Sequence, residues 1–230
     1  MSASPLATLV PVPTARRRRH RTGRALLILG FAAVMALTGA VPGASAKSPH
    51  QVDPNLMTPA LNPNFAPWSC FEAGTGITCQ GSLHQEYVDE AIGLQCDGQE
   101  VYVTGYGDEK MTRWHTVDGL ATKTSVHLSY PGDVFSLSPS GDGPTMTLSG
   151  QWNRHYVYPV PGDLTSRVLT EVGAIWLVHA AGGGGLVLHD TGIVTFAPGA
   201  DFEDVAIMHG VHDFYSDPSS LDRLICDTLT

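Results

Sequence analysis

The stretch "SRVLTEVGAIWLVHAAGGGGLVLHDTGIVTFAPG", Ser166 to Gly199, decides the fold class. Two runs rich in Val, Ile, Leu and Thr flank four consecutive glycines, Gly182 to Gly185. No polar face recurs at helical spacing, and β-branched runs around a glycine tip read as a β-hairpin. In a regular strand Val168, Val172, Ala174, Trp176 and Val178 share one face. Leu169, Glu171, Gly173, Ile175, Leu177 and His179 share the other. Both faces are largely apolar, which predicts a central strand covered on both sides.

Working outward, the same grammar repeats. "EVYVTGY" and "KMTRWHTV" precede Asp118-Gly119, a dipeptide suited to a two-residue hairpin turn, and "LATKTSVHLSY" returns. That turn sets Val117 against Leu120, His115 against Thr122 and Trp114 against Lys123. "VFSLSPSGDGPTMTLSG" is a second hairpin, "NRHYVYPV" a further strand closed by Pro161-Gly162, and "FEDVAIMHGVHDFY" the last strand. Only "SSLDRLICDTL", near the C-terminus, has helical spacing. The expected fold is all-β with about eight to ten strands and a short C-terminal helix. It is either an antiparallel meander barrel of lipocalin-like size or a two-sheet sandwich. The succession of hairpins favours the barrel.

The N-terminus has the grammar of export. Arg16 to Arg19, Arg21 and Arg24 precede an apolar run from Ala25 to Val41, and Ala44 and Ala46 complete an A-x-A pattern. Residues 1–46 therefore read as a signal peptide cleaved after Ala46, with an uncleaved membrane anchor as the alternative. No Cys follows the run to carry a lipid, and the pattern leaves Sec and twin-arginine export both open. All six charged residues of this leader are arginines, so seven basic residues remain beyond it against 22 acidic ones. The formal charge then falls from −9 to about −15. Such a surface repels phosphate backbones and anionic membranes, so no nucleic-acid partner is expected, and no membrane partner after cleavage. Residues 47–67, with their spread of Pro and Asn, read as a disordered lead-in, and residues 68–230 as a single β domain.

Cys70, Cys79, Cys96 and Cys226 form an even set, which in an exported chain suggests two disulfides. In "CFEAGTGITC" a type II′ turn at Gly74-Thr75 pairs Ala73 with Gly76 and, counting outward, Cys70 with Cys79. The two cysteines face each other at a non-hydrogen-bonded position, with Cα atoms about 4.5 Å apart. Cys96 and Cys226 are left to join.

The order of these features resembles a group of uncharacterised secreted all-β proteins common in high-GC Gram-positive bacteria. The matching positions are Cys96, Asp118-Gly119, Gly184 to Gly192, His212-Asp213 and the "L-x-x-L-C-x-x-L"-like segment from Leu221 to Leu229. The last departs from the pattern, because "LDRLICDTL" carries one residue more before its Cys. The resemblance implies export and an all-β fold and lends no catalytic residue.

Chemistry-bearing residues are sparse. Nine histidines follow the leader, and "HGVH" offers His209 and His212 as candidate metal ligands. On a flat strand positions three apart face opposite ways, so they converge only if Gly210 bulges. His212 with Asp213 is the candidate catalytic pair, and it reads equally as a structural hydrogen bond. There is no G-x-S-x-G and no H-E-x-x-H, and the thiols are consumed by disulfides. Glu86 with Asp89 and Glu203 with Asp204 read as solvated surface, and no cofactor is implied. Trp152, Tyr156 and Tyr158 share a parity and, with Trp176, are the candidate ligand-binding residues. The sequence therefore points to a non-enzymatic protein that binds a small apolar ligand or a cell-surface partner. The alternative is a secreted isomerase or hydrolase using the His–Asp pair or a metal near His209 and His212.

Overall fold

Gly74 has a φ of +62° while Thr75 stays in the ordinary region, as a type II′ turn requires. The computed structural model describes residues 49–180, 182, 184–200 and 204–230. The signal peptide reading lies outside the described residues. From the Gly74–Thr75 turn, strands β1 (Ser69–Ala73) and β2 (Gly76–Cys96) run antiparallel with Cys70 opposite Cys79. Their Cα atoms are 4.0 Å apart and joined by a disulfide. A meander follows: β3 (Gln99–Thr116), β4 (Ala121–Ser136), β5 (Thr145–Val157), β6 (Val168–His179), β7 (Leu186–Phe196) and β8 (Val205–His212). Two helices, α1 (Asp213–Ser216) and α2 (Ser219–Leu229), end the chain.

All eight strands form one antiparallel sheet in the order β1 to β8, so the two-sheet sandwich is not formed. Nor does the sheet close into the expected barrel, since among the described residues β8 does not pair with β1. The outer edge of β1 is already occupied. Val52 donates to the Cys70 carbonyl at 3.0 Å and Glu72 to the His50 carbonyl at 2.9 Å. The lead-in thus behaves as a cover on the edge that closure needed. Its described part, 49–67, is packed rather than disordered. Single 3₁₀ turns at Pro54–Leu56 and Pro63–Phe65 are capped by Asp53 and Asn62, and Met57 and Phe65 are buried.

Two of the three D-G dipeptides, at Asp97 and Asp118, behave differently. Asp97 and Gly98 both have positive φ (50° and 80°) and close β2 onto β3 as a two-residue turn, a hairpin the sequence reading did not single out. At Asp118-Gly119 only Gly119 is left-handed, and Gly119 N–H donates to the Thr116 carbonyl at 3.0 Å. That is a three-residue loop with a bulge. Trp114 still faces Lys123, but His115 faces Ala121 rather than Thr122.

One irregularity crosses the whole sheet. The register shifts between Tyr87 and Glu90 in β2, between Thr104 and Asp108 in β3, and between Tyr130 and Asp133 in β4. It shifts again between Ser149 and Gln151 in β5 and between Ala174 and Trp176 in β6. The extra residues lie in β2, β4 and β6, where each reverses which parity faces the interior, while β3 and β5 keep theirs. In β6, Leu169, Glu171 and Ile175 are buried before the shift, and Val178 after it. This corrects the expectation of a strand covered on both faces: it presents one covered face whose parity changes midway. Two apolar clusters result. Val101, Phe135, Met146, Leu148, Val178 and Leu188 pack against Ile225 and Leu229 of α2. Beyond the shift, Val126, Leu128, Trp152, Leu169, Ile175, Val194 and Phe196 pack with Phe65 of the lead-in.

Helix α2 is bound to the end of β2 by the Cys96–Cys226 disulfide, with a Cα separation of 5.1 Å. It spans 130 positions, against nine for Cys70–Cys79. Loop-closure entropy then predicts a loss of about 5 kcal/mol for Cys96→Ser with Cys226→Ser, and about 3 kcal/mol for Cys70→Ser with Cys79→Ser. Urea denaturation of the two double variants checks that order, and the reverse order contradicts it.

Candidate functional site

Strand register aligns the interior side chains in rungs. Arg113 of β3 lies opposite Thr124 of β4, which lies opposite Tyr156 of β5. On the next rung Met111 faces Val126, Val126 faces Arg154, and Arg154 faces Glu171 of β6. Further on, Glu109 faces Leu128, which faces Trp152. Pro59, Ala60, Asn62 and Phe65 of the lead-in wall this surface and leave a cavity of about 330 Å³ lined by Glu109, Arg113, Thr124, Arg154, Tyr156, Tyr158 and Arg167. A second cavity, of about 200 Å³, shares Arg154 and adds Leu128, Tyr130, Asp133, Trp152 and Trp176. A third, of about 550 Å³, shares Asp133 and Trp176 and reaches α2 at Leu221 and Ile225. Another space of similar size lies away from these groups, between the β1–β2 and β3–β4 turns, and holds His50 and Glu72 as its titratable side chains besides Asp118.

Four aromatic residues expected from sequence to bind a ligand therefore line adjoining cavities. Tyr156 and Tyr158 belong to the first, Trp152 and Trp176 to the second. Trp152 is also core, only 3% exposed, with Tyr130 stacked at 5.6 Å and Trp176 tilted at 5.8 Å between centroids.

Beneath the aromatics lies a charged hub that sequence reasoning missed. Glu171 is completely buried. Its carboxylate accepts from Arg154 Nε, from Trp152 Nε1 at 3.3 Å and from the Tyr215 hydroxyl of α1. Burial alone would lower the Arg154 pKa, but pairing with Glu171 outweighs it and raises it. Burial and the same carboxylate hold the Tyr215 hydroxyl protonated well above its usual range. At the parity shift, Tyr130 donates to Glu109 at 2.6 Å and accepts from Gln85 at 3.2 Å, while Tyr87 donates to Asp133. Burial raises the Asp133 pKa despite that bond. Gly105 and Gly107 make this possible, because a Cβ on either would collide with Asp133 or with the Tyr130 ring.

The signal for the hub was available in principle: an Arg on an interior-parity position beside Trp152 and Tyr156, and a Glu in an apolar strand. Without the register, nothing joined them.

The histidine segment resolves differently. His212 is the cross-strand partner of Asp190, with Nδ1 3.4 Å from Oδ1. Asp213, the partner expected from sequence, instead accepts from the His189 backbone N–H at 2.9 Å. Adjacent strand residues point to opposite faces, whereas cross-strand neighbours meet. Burial raises the Asp190 pKa, against backbone donors that include Phe214 at 2.7 Å. Gly210 does not bulge, since Gly192 faces Gly210 and Ile193 faces His209 in continuous register. His212 Nε2 lies 3.1 Å from the His209 carbonyl oxygen, while the His209 side chain is exposed. The two imidazoles are thus not brought to one point. Among the described residues no cluster of three or more His, Cys, Asp or Glu is arranged around a metal position.

The chain matches no protein-family model, and comparison with curated proteins and with solved structures gives no significant match. Fold and groove define an all-β, disulfide-linked protein with an aromatic and arginine-lined concave surface.

Two measurements test this geometry. Removing only the Glu171 carboxylate, as in Glu171→Leu, takes a fully buried partner from Arg154 and costs about 3–5 kcal/mol. Arg154→Met combined with Glu171→Leu is expected to recover most of that loss in urea denaturation, and a double variant as weak as the single one contradicts the pairing. His115, 4% exposed, has its pKa pushed down to about 4 by burial and then by the Arg113 charge. The unfolded chain therefore takes up this proton first. Its contribution is complete above about pH 6.5 and is lost toward pH 4, by up to about 3 kcal/mol. The stability–pH curve of His115→Phe should be flatter than wild type across that window; parallel curves contradict the assignment.

Proposed function

We propose that this is an exported, non-enzymatic protein that holds a small ligand with an apolar body in the groove over β3 to β6. One observation carries the reading: Trp152, Tyr156, Tyr158 and Trp176 border adjoining spaces of about 330 and 200 Å³ instead of a filled interior. Cavities of this size, with aromatic walls and a few polar groups, suit small-molecule binding. Export is supported by the Arg-rich, apolar, A-x-A leader and by the two disulfides, which persist in oxidising compartments. Among the described residues no helix is long and apolar enough to cross a membrane. The enzymatic alternative draws less support, because His212 and Asp190 line none of these three adjoining cavities.

The test is a titration of 5-fluorotryptophan-labelled protein with a neutral aromatic, p-cresol, at millimolar concentration. Saturable ¹⁹F shifts are expected at Trp152 and Trp176 and not at Trp68 or Trp114. Unmoved signals, or equal movement of all four, defeat the reading.

A further inference from the structure

We infer that the groove takes an acid: a small molecule with an apolar aromatic body whose single carboxylate is held by Arg113. The inference rests on the groove being the binding site and names the chemistry of its occupant. Beyond the leader the chain has only four arginines, and three of them, Arg113, Arg154 and Arg167, line the 330 Å³ cavity. In a segment with 22 acidic residues that concentration is local and specific.

The three differ in what they face. Arg154 is held by Glu171. Arg167 lies over the Tyr156 ring at 5.6 Å. Arg113 is 6% exposed, and among the described residues no carboxylate is paired with it. Its Nη1 donates to the Ala60 carbonyl of the lead-in at 3.2 Å. Among the described residues its Nε and Nη2 have no acceptor, and the hydroxyl of Thr124, its cross-strand partner, has no hydrogen-bond partner. Nε and Nη2 are the side of a guanidinium that grips both oxygens of a carboxylate. A buried, permanently charged group with two unused donors costs folding free energy that an apolar residue of the same size would not. An anion supplying both acceptors removes that cost.

The rest of the cavity sets the class. Glu109, already accepting from Tyr130, stands at the same cavity and disfavours a second negative charge. Met111, Val126, Tyr156 and Phe65 offer walls for an apolar body. Pro59, Ala60 and Asn62 form one wall of the cavity, and Arg113 itself holds this segment through Ala60.

Calorimetric titration of the disulfide-intact protein compares phenylacetate, its neutral isostere phenylacetamide, and inorganic phosphate. Phenylacetate is expected to bind at least about tenfold more tightly than phenylacetamide, because charge-assisted bidentate bonds are lost in the amide. It should also move the Arg113 Nε–Hε resonance. Arg113→Gln should abolish the preference. Arg113→Met should remove it too while unfolding at the same or higher urea concentration than wild type, which a purely structural Arg113 would not allow. Should the methionine variant not fold, Arg113→Lys retains charge without the fork and is expected to lose most of the preference. Equal binding of acid and amide, or a preference surviving Arg113→Gln, overturns the inference. Phosphate binding as tightly as phenylacetate also overturns it, in favour of a bare oxyanion site. If p-cresol shifts Trp152 and Trp176 but the acid shows no advantage, the acid assignment alone falls. If no probe binds, the binding groove falls with it.

Discussion

Alternate strands β2, β4 and β6 each carry extra residues, and these break the register of every ladder from β2–β3 to β6–β7. On that constraint the rest of the molecule depends. An extra residue in one strand bends it locally; in three alternate strands it re-aims half a sheet. The parity reversal lets one side of a single sheet build two cores, one under α2 and one under the lead-in. Tyr87, Tyr130 and Asp133 sit at or beside the fold line, and the adjoining cavities meet there.

Charge on the interior side follows from that geometry. A coiled sheet with an occupied β1 edge and no barrel closure leaves a concave surface that its own aromatics do not fill. Glu171 is fully buried but supplied with three donors, so its burial is compensated. Arg113, on the neighbouring rung of β3, is not compensated to the same degree. The contrast within one surface separates a structural ion pair from a group kept for an occupant. Tyr215 also ties the hub to α1, so the C-terminal elements and the groove floor share one hydrogen-bonded centre.

Where a local rule closes a short loop, the sequence was readable to the residue. Gly74-Thr75 fixed the register of β1 on β2 and hence the first disulfide, and the second followed by elimination. The α2 segment was delimited from its 3.6-residue spacing. The turn at Asp118-Gly119 was displaced by one residue because the same dipeptide serves two loop geometries, and the one chosen depends on the twist of the strands it joins. Trp152 and Tyr156 were placed together by parity alone, which holds on β5 because the extra residues at its two register breaks lie in β4 and β6.

The amino-acid sequence by itself determined the all-β class, the Cys70–Cys79 pairing and the aromatic parity, since each is set by neighbours within one strand or hairpin. Only the tertiary structure decided that the sheet stays open, that His212 answers to Asp190, and that Arg113, Arg154 and Glu171 share one surface. Those outcomes depend on which strand edges are covered and on parity shifts in three alternate strands. No window of sequence short enough to read contains them.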